Sequence, residues 1–288
     1  MKSLSVISLL LLSLMIASCS SLEDTSKAEE KEQDKINSTT EEGIVLKDDA
    51  HTLENSSDSN AEEEQQEVVD KPFEPTYRIN QENWSIEPIA DANKNVVLLT
   101  IDDAPDQYGL EMAKVLKEYN APAIFFVNGH FIDSPEEENV LKQIHELGFQ
   151  IGNHTWNHKN LKKLTEEEQQ KEISSLNQAI ERITGEPPVF FRAPFGANTD
   201  YVKQFVKQQN MVLMNWTYGY DFMKEYMNEA SIADVMVNTN LLTNGANLLM
   251  HDREWTYQAL PKIIEGIRQK GYEFVDPKLI ELPLAEAQ

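Results

Sequence analysis

Val96-Val-Leu-Leu-Thr100-Ile101, followed at once by Asp102-Asp103, is the stretch on which the fold turns. The run is short and apolar and ends in turn-forming residues, so it reads as a buried strand over 96–101. Six further segments read the same way: 123–127, 149–152, 188–191, 211–216, 246–250 and 272–275. Helix spacing recurs between most of them, in Met112, Val115, Leu116 and Tyr119 and again in Val140, Ile144 and Leu147. The clearest helix opens at Thr165 with Glu168 three residues on, a capping box. It buries Ile173, Leu176, Ile180 and Ile183 and stops at Gly185, ahead of Pro187-Pro188. The last helix carries Ile263, Ile264 and Ile267 and ends at Gly271. Seven strands alternating with helices imply an α/β fold with a mostly parallel sheet and helices outside. Periodicity alone does not separate a closed barrel from an open doubly wound sheet. The absence of a Gly-rich loop after the first strand argues against the dinucleotide-binding version.

Polar residues fall at corresponding points of this pattern. Asp102-Asp103 follow 96–101, His154 and His158 follow Phe149–Ile151, Arg192 follows Val189–Phe191, and His251 follows Leu248–Met250. In a β/α barrel the strand ends converge on one face, which carries the catalytic loops. His154-Thr-Trp-Asn-His158 sets two imidazoles four positions apart, on one face if the segment is a helical turn. With one carboxylate they make the three-ligand set of a catalytic zinc; the plain alternative is a pair of satisfied histidines. Adjacent carboxylates at Asp102 and Asp103 repel, which favours one on a cation and the other as a base. Their plain alternative is capping of a helix over 108–119. Arg192 beside an apolar strand calls for a carboxylate partner in the pocket, and His251 suits a proton donor. Of the other histidines, His145 sits in a helical pattern, His130 follows strand 123–127 and is a candidate for the pocket mouth, and His51 lies in a polar N-terminal stretch.

That N-terminal stretch has its own logic. Lys2, the apolar run Leu4 to Ile16 and the small residues before Cys19 form a secretory signal over 1–18. Ile16-Ala-Ser-Cys19 resembles a bacterial lipobox, which implies a lipidated Cys19 and an anchor on the outer face of the cell membrane. The alternative is an ordinary signal peptide. Cys19 is the only cysteine, so a metal site must draw on His, Asp or Glu. Residues 19–75 are acidic, polar and almost free of aromatics, and are expected to be a disordered tether. They carry about half of the net charge of −24. The remainder, 76–288, is still acidic, which argues against a nucleic-acid partner.

Taken together, Thr100-Ile-Asp-Asp-Ala-Pro105, His154-Thr-Trp-Asn-His158, Arg192-Ala-Pro-Phe195 and Leu248-Leu-Met-His251 resemble the ordered motifs of the polysaccharide deacetylase family. This is the NodB-homology group, carbohydrate esterase family 4, and the resemblance covers about residues 94–280. It implies a distorted (β/α)7 barrel, with Asp103, His154 and His158 on a divalent metal, commonly zinc. Asp102 would be the general base, oriented by Arg192, and His251 the general acid. The backbone N–H of Phe195 would meet the oxyanion, with Trp216 and Leu249 facing the substrate. Two departures stand out. Ala104 replaces the usual Gly and threatens to crowd a tight turn, and the usual Asp-x-x-Asp-Trp motif is replaced by Trp216-Thr-Tyr-Gly-Tyr-Asp221-Phe222. Asp221 is then the candidate to brace Arg192 or to tune His251, with Trp216 or Phe222 as apolar wall. The resemblance implies a monomeric hydrolase removing N-acetyl groups from an extracellular polysaccharide, peptidoglycan or chitin-like. The alternatives are a catalytically weakened glycan-binding lipoprotein, an O-acetyl xylan esterase, and a solute receptor serving a transporter.

Overall fold

The computed structural model describes residues 74–283; the expected signal segment, Cys19, His51 and nearly all of the expected tether lie outside them. A short antiparallel hairpin, β1 (Tyr77–Ile79) and β2 (Ile86–Pro88), precedes the long first strand of the main sheet, β3 (Val96–Ala104). The other strands are β4 (Ala123–Val127), β5 (Gln150–Asn153), β6 (Phe190–Phe191), β7 (Val212–Leu213), β8 (Ala246–His251) and β9 (Glu273–Phe274). They form a parallel sheet in the order β7-β6-β5-β4-β3-β8, with β9 paired to the start of β3. Past β7 the chain crosses to the far edge, where Tyr218 bridges Leu248 of β8 in parallel. The sheet therefore curls round on itself into a distorted barrel. Gly219 sits at this closure because a Cβ there would come within 2.5 Å of the Leu249 carbonyl oxygen.

Alternation along β3 sorts the residues. Leu98 joins Ile124, Phe126, Phe190 and Met214 inside the barrel, and the β1–β2 hairpin contributes Tyr77, Ile79 and Ile86 to the same cluster. Val97, Leu99 and Ile101 face the surrounding helices, of which α1 spans Gly109–Glu118, α2 Pro135–Glu146 and α3 Glu166–Thr184. The ring continues with α4 (Asp200–Gln208), α5 (Glu229–Asn238) and α6 (Glu254–Gln269). Ile263, Ile264 and Ile267 of α6 are fully buried, each worth about 1.5–3 kcal/mol of transfer free energy.

The capping box at Thr165 and Glu168 is present with both reciprocal bonds, and Gly185 ends α3 in the left-handed conformation (φ 84). A second capping box, Ser134 with Glu137, opens α2. Strand β6 is shorter than the apolar run suggests, because prolines 187 and 188 have no N–H to give to a ladder; β7 is confined to the two residues that pair with β6. The β1–β2 hairpin was not expected at all.

Candidate active site

Register sets the level of the site. Asp102 of β3 pairs with His251 of β8, so both stand at the C-terminal rim of neighbouring strands. Alternation would send Asp103 to the other face of the sheet. Instead the β3–β4 register shifts between Ile101 and Ala104, and Asp103 takes φ 56. That local break turns both carboxylates into one cleft. The positive φ falls on Asp103, so Ala104 in place of glycine crowds nothing: it sits fully buried in the strand end. Neither carboxylate caps α1, whose N-cap Tyr108 makes no side-chain cap bond. The loop before α1 is held by Asp252, which accepts from the Asp106 and Tyr108 N–H groups, both at 2.7 Å.

His154 and His158 converge by a different route from the helical turn expected. Residues 154–158 form an irregular loop with Thr155 at φ 71 and His158 at φ 52. The imidazole centroids are 5.0 Å apart. Asp103 Oδ1 lies 3.4 Å from His158 Nε2 and 3.9 Å from His154 Nε2. One oxygen of Asp103 and one nitrogen of each imidazole all fall within 4.8 Å of one another. His154 Nδ1 donates to the Arg192 carbonyl at 2.7 Å. A carbonyl only accepts, so Nδ1 carries the proton and Nε2 presents its lone pair to the cleft. Burial, followed by their mutual proximity in the case of His158, keeps both imidazoles below the ordinary histidine pKa and so neutral. Burial would raise Asp103, but the surrounding imidazoles, when protonated, and Arg253 outweigh it and hold the carboxyl below its usual range. A carboxylate oxygen and two neutral imidazoles facing open space fit a divalent cation of the zinc type.

The partner of Arg192 is Asp102. The guanidinium is fully buried, with Nη1 donating to Asp102 Oδ1 at 2.6 Å and to Thr100 Oγ1 at 2.8 Å. Nη2 donates to the Asn215 carbonyl at 2.8 Å, and the Phe126 ring lies 4.3 Å from the guanidinium carbon. Asp221 braces His251, not Arg192. Its Oδ1 accepts from His251 Nδ1 at 2.7 Å, and its Oδ2 from the His251 backbone N–H at 2.6 Å and Thr256 Oγ1 at 2.8 Å. Burial would lower the pKa of His251, yet the fully buried Asp221 carboxylate overrides it and lifts the imidazole to about 9. The segment 216–222, which departs from the usual motif, thus still supplies a buried carboxylate to His251.

Asp102, Asp103, His154, His158, Asp221 and His251 line one cavity. Phe195, Trp216, Phe222, Met227, Leu249 and Trp255 provide its apolar wall. The site residues singled out in the described sequence are brought together here except Arg192, which stands behind Asp102, and His130. His130 is not among the lining residues; its Nδ1 lies 3.0 Å from the Trp156 carbonyl. His145 lies on α2, 3.5 Å from Glu186.

Two contributors were missed. Arg253 lines the cavity and donates to Asp103 Oδ2 at 2.8 Å; its place directly after His251-Asp252 was the available signal. Glu172, from the middle of α3, holds the His154–His158 loop: it accepts from the Asn157 N–H at 2.7 Å and from Asn157 Nδ2 at 2.8 Å. Nothing in the sequence of α3 marks it out from the other glutamates.

A curled parallel barrel with a carboxylate–imidazole–imidazole cluster, a carboxylate on a buried arginine and a carboxylate-braced histidine at one rim is the arrangement of a hydrolase with a candidate metal site. Comparison with known proteins narrows this. The sequence model of the family described as Polysaccharide deacetylase matches residues 90–214. A peptidoglycan-N-acetylglucosamine deacetylase of Bacillus cereus is 32% identical over 192 residues, covering 64% of this chain and 67% of that protein. The peptidoglycan-N-acetylmuramic acid deacetylase PdaC of Bacillus subtilis is 30% identical over 68% of this chain, which spans 40% of that protein. Among solved structures, the Bc1960 peptidoglycan N-acetylglucosamine deacetylase superposes with a TM-score of 0.59 at 29% identity, over 64% of this chain and 86% of that one. The chain belongs to the polysaccharide deacetylase family, hydrolases of N-acetyl amide bonds.

Proposed function

We propose that this protein is a metal-dependent deacetylase acting on the N-acetylated amino sugars of an extracellular polysaccharide, peptidoglycan first among them, with zinc as the ion. The observation that carries the reading is the cluster of Asp103, His154 and His158, with ligand atoms within 4.8 Å, in the same cavity as Asp102 and His251. Those three residues would hold the cation. When bound, such an ion polarises the acetamide carbonyl and lowers the pKa of water.

The remaining work falls to the chain's own groups. Asp102, held in place by the Arg192 guanidinium 2.6 Å away, takes the proton of the attacking water. The backbone N–H of Phe195, whose residue is held at φ 60, donates to the developing oxyanion. His251, charged at neutral pH through Asp221, gives its Nε2 proton to the departing amine nitrogen. The amide C–N bond breaks, a C–O bond forms, and acetate and a free amino sugar result. Trp216, Leu249 and Phe222 form the apolar wall against which the acetyl methyl packs. The likeness of Ile16-Ala-Ser-Cys19 to a lipobox supports a site for this chemistry at the outer face of the cell membrane.

The test is acetate release from chitooligosaccharide and from isolated peptidoglycan. Release that is abolished by a chelator, restored by zinc and absent from His154→Ala supports the reading. A protein that carries zinc yet releases no acetate from either substrate overturns it.

A further inference from the structure

Arg253 has no part in the hydrolysis just described, yet it stands in the same cavity. Nη2 donates to Asp103 Oδ2 at 2.8 Å and Nη1 to the Asp252 carbonyl at 2.8 Å, with Asp106 Oδ2 at 3.5 Å. These contacts fix the head group, and a guanidinium carries five N–H donors in all. A third of the side chain (33%) stays exposed. Arg192, the other arginine of the site, is fully buried and committed to Asp102. Arg253 is therefore the permanent cation that the cavity wall offers to a substrate.

Its position fixes what it can reach. Arg253 grips one oxygen of Asp103 while the other oxygen faces the two imidazoles. The guanidinium thus lies across the Asp103 carboxylate from the two imidazoles that would share a cation with it. An acetamide attacked beside that cation would bring a substituent on the adjacent sugar carbon towards the same wall. With the charge of Asp103 shared with a divalent ion, only Asp106, at 3.5 Å, still offsets Arg253, and an anion on the cavity side gains a charge-assisted, fork-shaped partner.

We infer that Arg253 is a specificity-determining residue that binds a carboxylate carried on the carbon beside the N-acetyl group, the arrangement found in the 3-O-lactyl ether of muramic acid. The inference rests on the deacetylase reading and goes beyond it by naming the sugar: N-acetylmuramic acid on glycan strands whose lactyl groups bear no peptide.

The experiment compares two peptide-free GlcNAc–MurNAc tetrasaccharides that differ only in the lactyl group, one with the free carboxylate and one with its methyl ester. The zinc-loaded wild-type protein is expected to favour the free acid by about tenfold or more in kcat/KM, mainly through KM. Arg253→Gln is expected to bring the ratio close to one, and Arg253→Lys to an intermediate value. Because each ratio is taken within one protein, any change in metal occupancy caused by the substitution cancels. Equal use of acid and ester by the wild type, or an unchanged ratio in Arg253→Gln, overturns the inference. Where Arg253→Gln fails to fold, the wild-type ratio alone decides. Acetate release from a GlcNAc oligomer with no acid–ester difference leaves the deacetylase reading standing and removes only this one; no release from any substrate removes both.

Discussion

His154 and His251 face the same cleft, yet their surroundings drive them in opposite directions. His154 is buried, its Nδ1 is tied to a neutral carbonyl, and the nearest carboxylate, Asp102, is already engaged by Arg192. Desolvation therefore prevails and the ring is held neutral. His251 spends its Nδ1 on a buried carboxylate that has no competing cation, and desolvation loses; its pKa rises to about 9. One imidazole is left with a lone pair to offer and the other with a proton to carry. What decides between these fates is whether the partner on Nδ1 is charged. The two halves rest on different supports and should fail separately.

The largest effect is expected from Asp103→Ala. Losing one of three candidate ligands should cost more than the roughly 100-fold typical of an outer-shell partner. Zinc content after gel filtration should fall to background together with acetate release, while the circular dichroism of the fold persists. A variant that keeps stoichiometric zinc breaks the division at its root.

Asp221→Asn attacks the other half. The His251 pKa should return towards the ordinary histidine value, and kcat should drop by about 10²–10⁴, the range attributed to a positioned proton donor. Zinc affinity should stay as in the wild type, as read by competition with a chromophoric chelator. Loss of zinc in this variant would mean that the two halves are one unit.

The comparison also has a thermodynamic form, measurable in the metal-free protein. A histidine raised to about 9 from an unfolded value near 6.5 gives stability that is fully present below pH 6.5 and lost as the pH climbs through 9. Its ceiling is roughly 3 kcal/mol. Histidines held below the ordinary value do the reverse: unfolding takes up protons, so stability falls as the solution is acidified below pH 6.5. Denaturant unfolding from pH 5 to 9.5 should therefore show a maximum near neutrality. In Asp221→Asn the alkaline decline should vanish and the acid decline remain.

The two halves also differ in how far they could be read from the amino-acid sequence. Strand ends followed by Asp102-Asp103, His154, Arg192 and His251 are legible because apolar runs are short and their polar successors have nowhere to go but the rim. The route by which Asp103 and His158 reach the cleft is not, since positive φ at non-glycine residues leaves no trace in composition. Asp221 was legible as a candidate for either of two roles, bracing Arg192 or tuning His251; the crossing of 216–221 to the β8 edge assigns it to His251. The three-residue strands β1 and β2 are too short for a period to register.

Glu172 was invisible for a further reason: a glutamate in a helix rich in glutamate and glutamine reads as a solvated face. Its burial (6% exposed) shows otherwise, and the smallest predicted effect belongs to it. Its carboxylate takes both the N–H and the side-chain amide of Asn157, and its backbone carbonyl takes the Trp156 N–H at 3.0 Å. The loop between the two imidazoles is thus pinned to α3 at its centre. Glu172→Gln keeps the shape but offers a single acceptor oxygen and turns an N–H₂ towards a donor, so one buried partner goes unmet. That should cost about 1–3 kcal/mol in thermal unfolding and about tenfold in zinc affinity. With zinc saturating, kcat should stay within a few-fold of the wild type, because Asp221 and His251 do not touch this loop. A fall in kcat at full zinc occupancy would mean that the loop positions more than the cation.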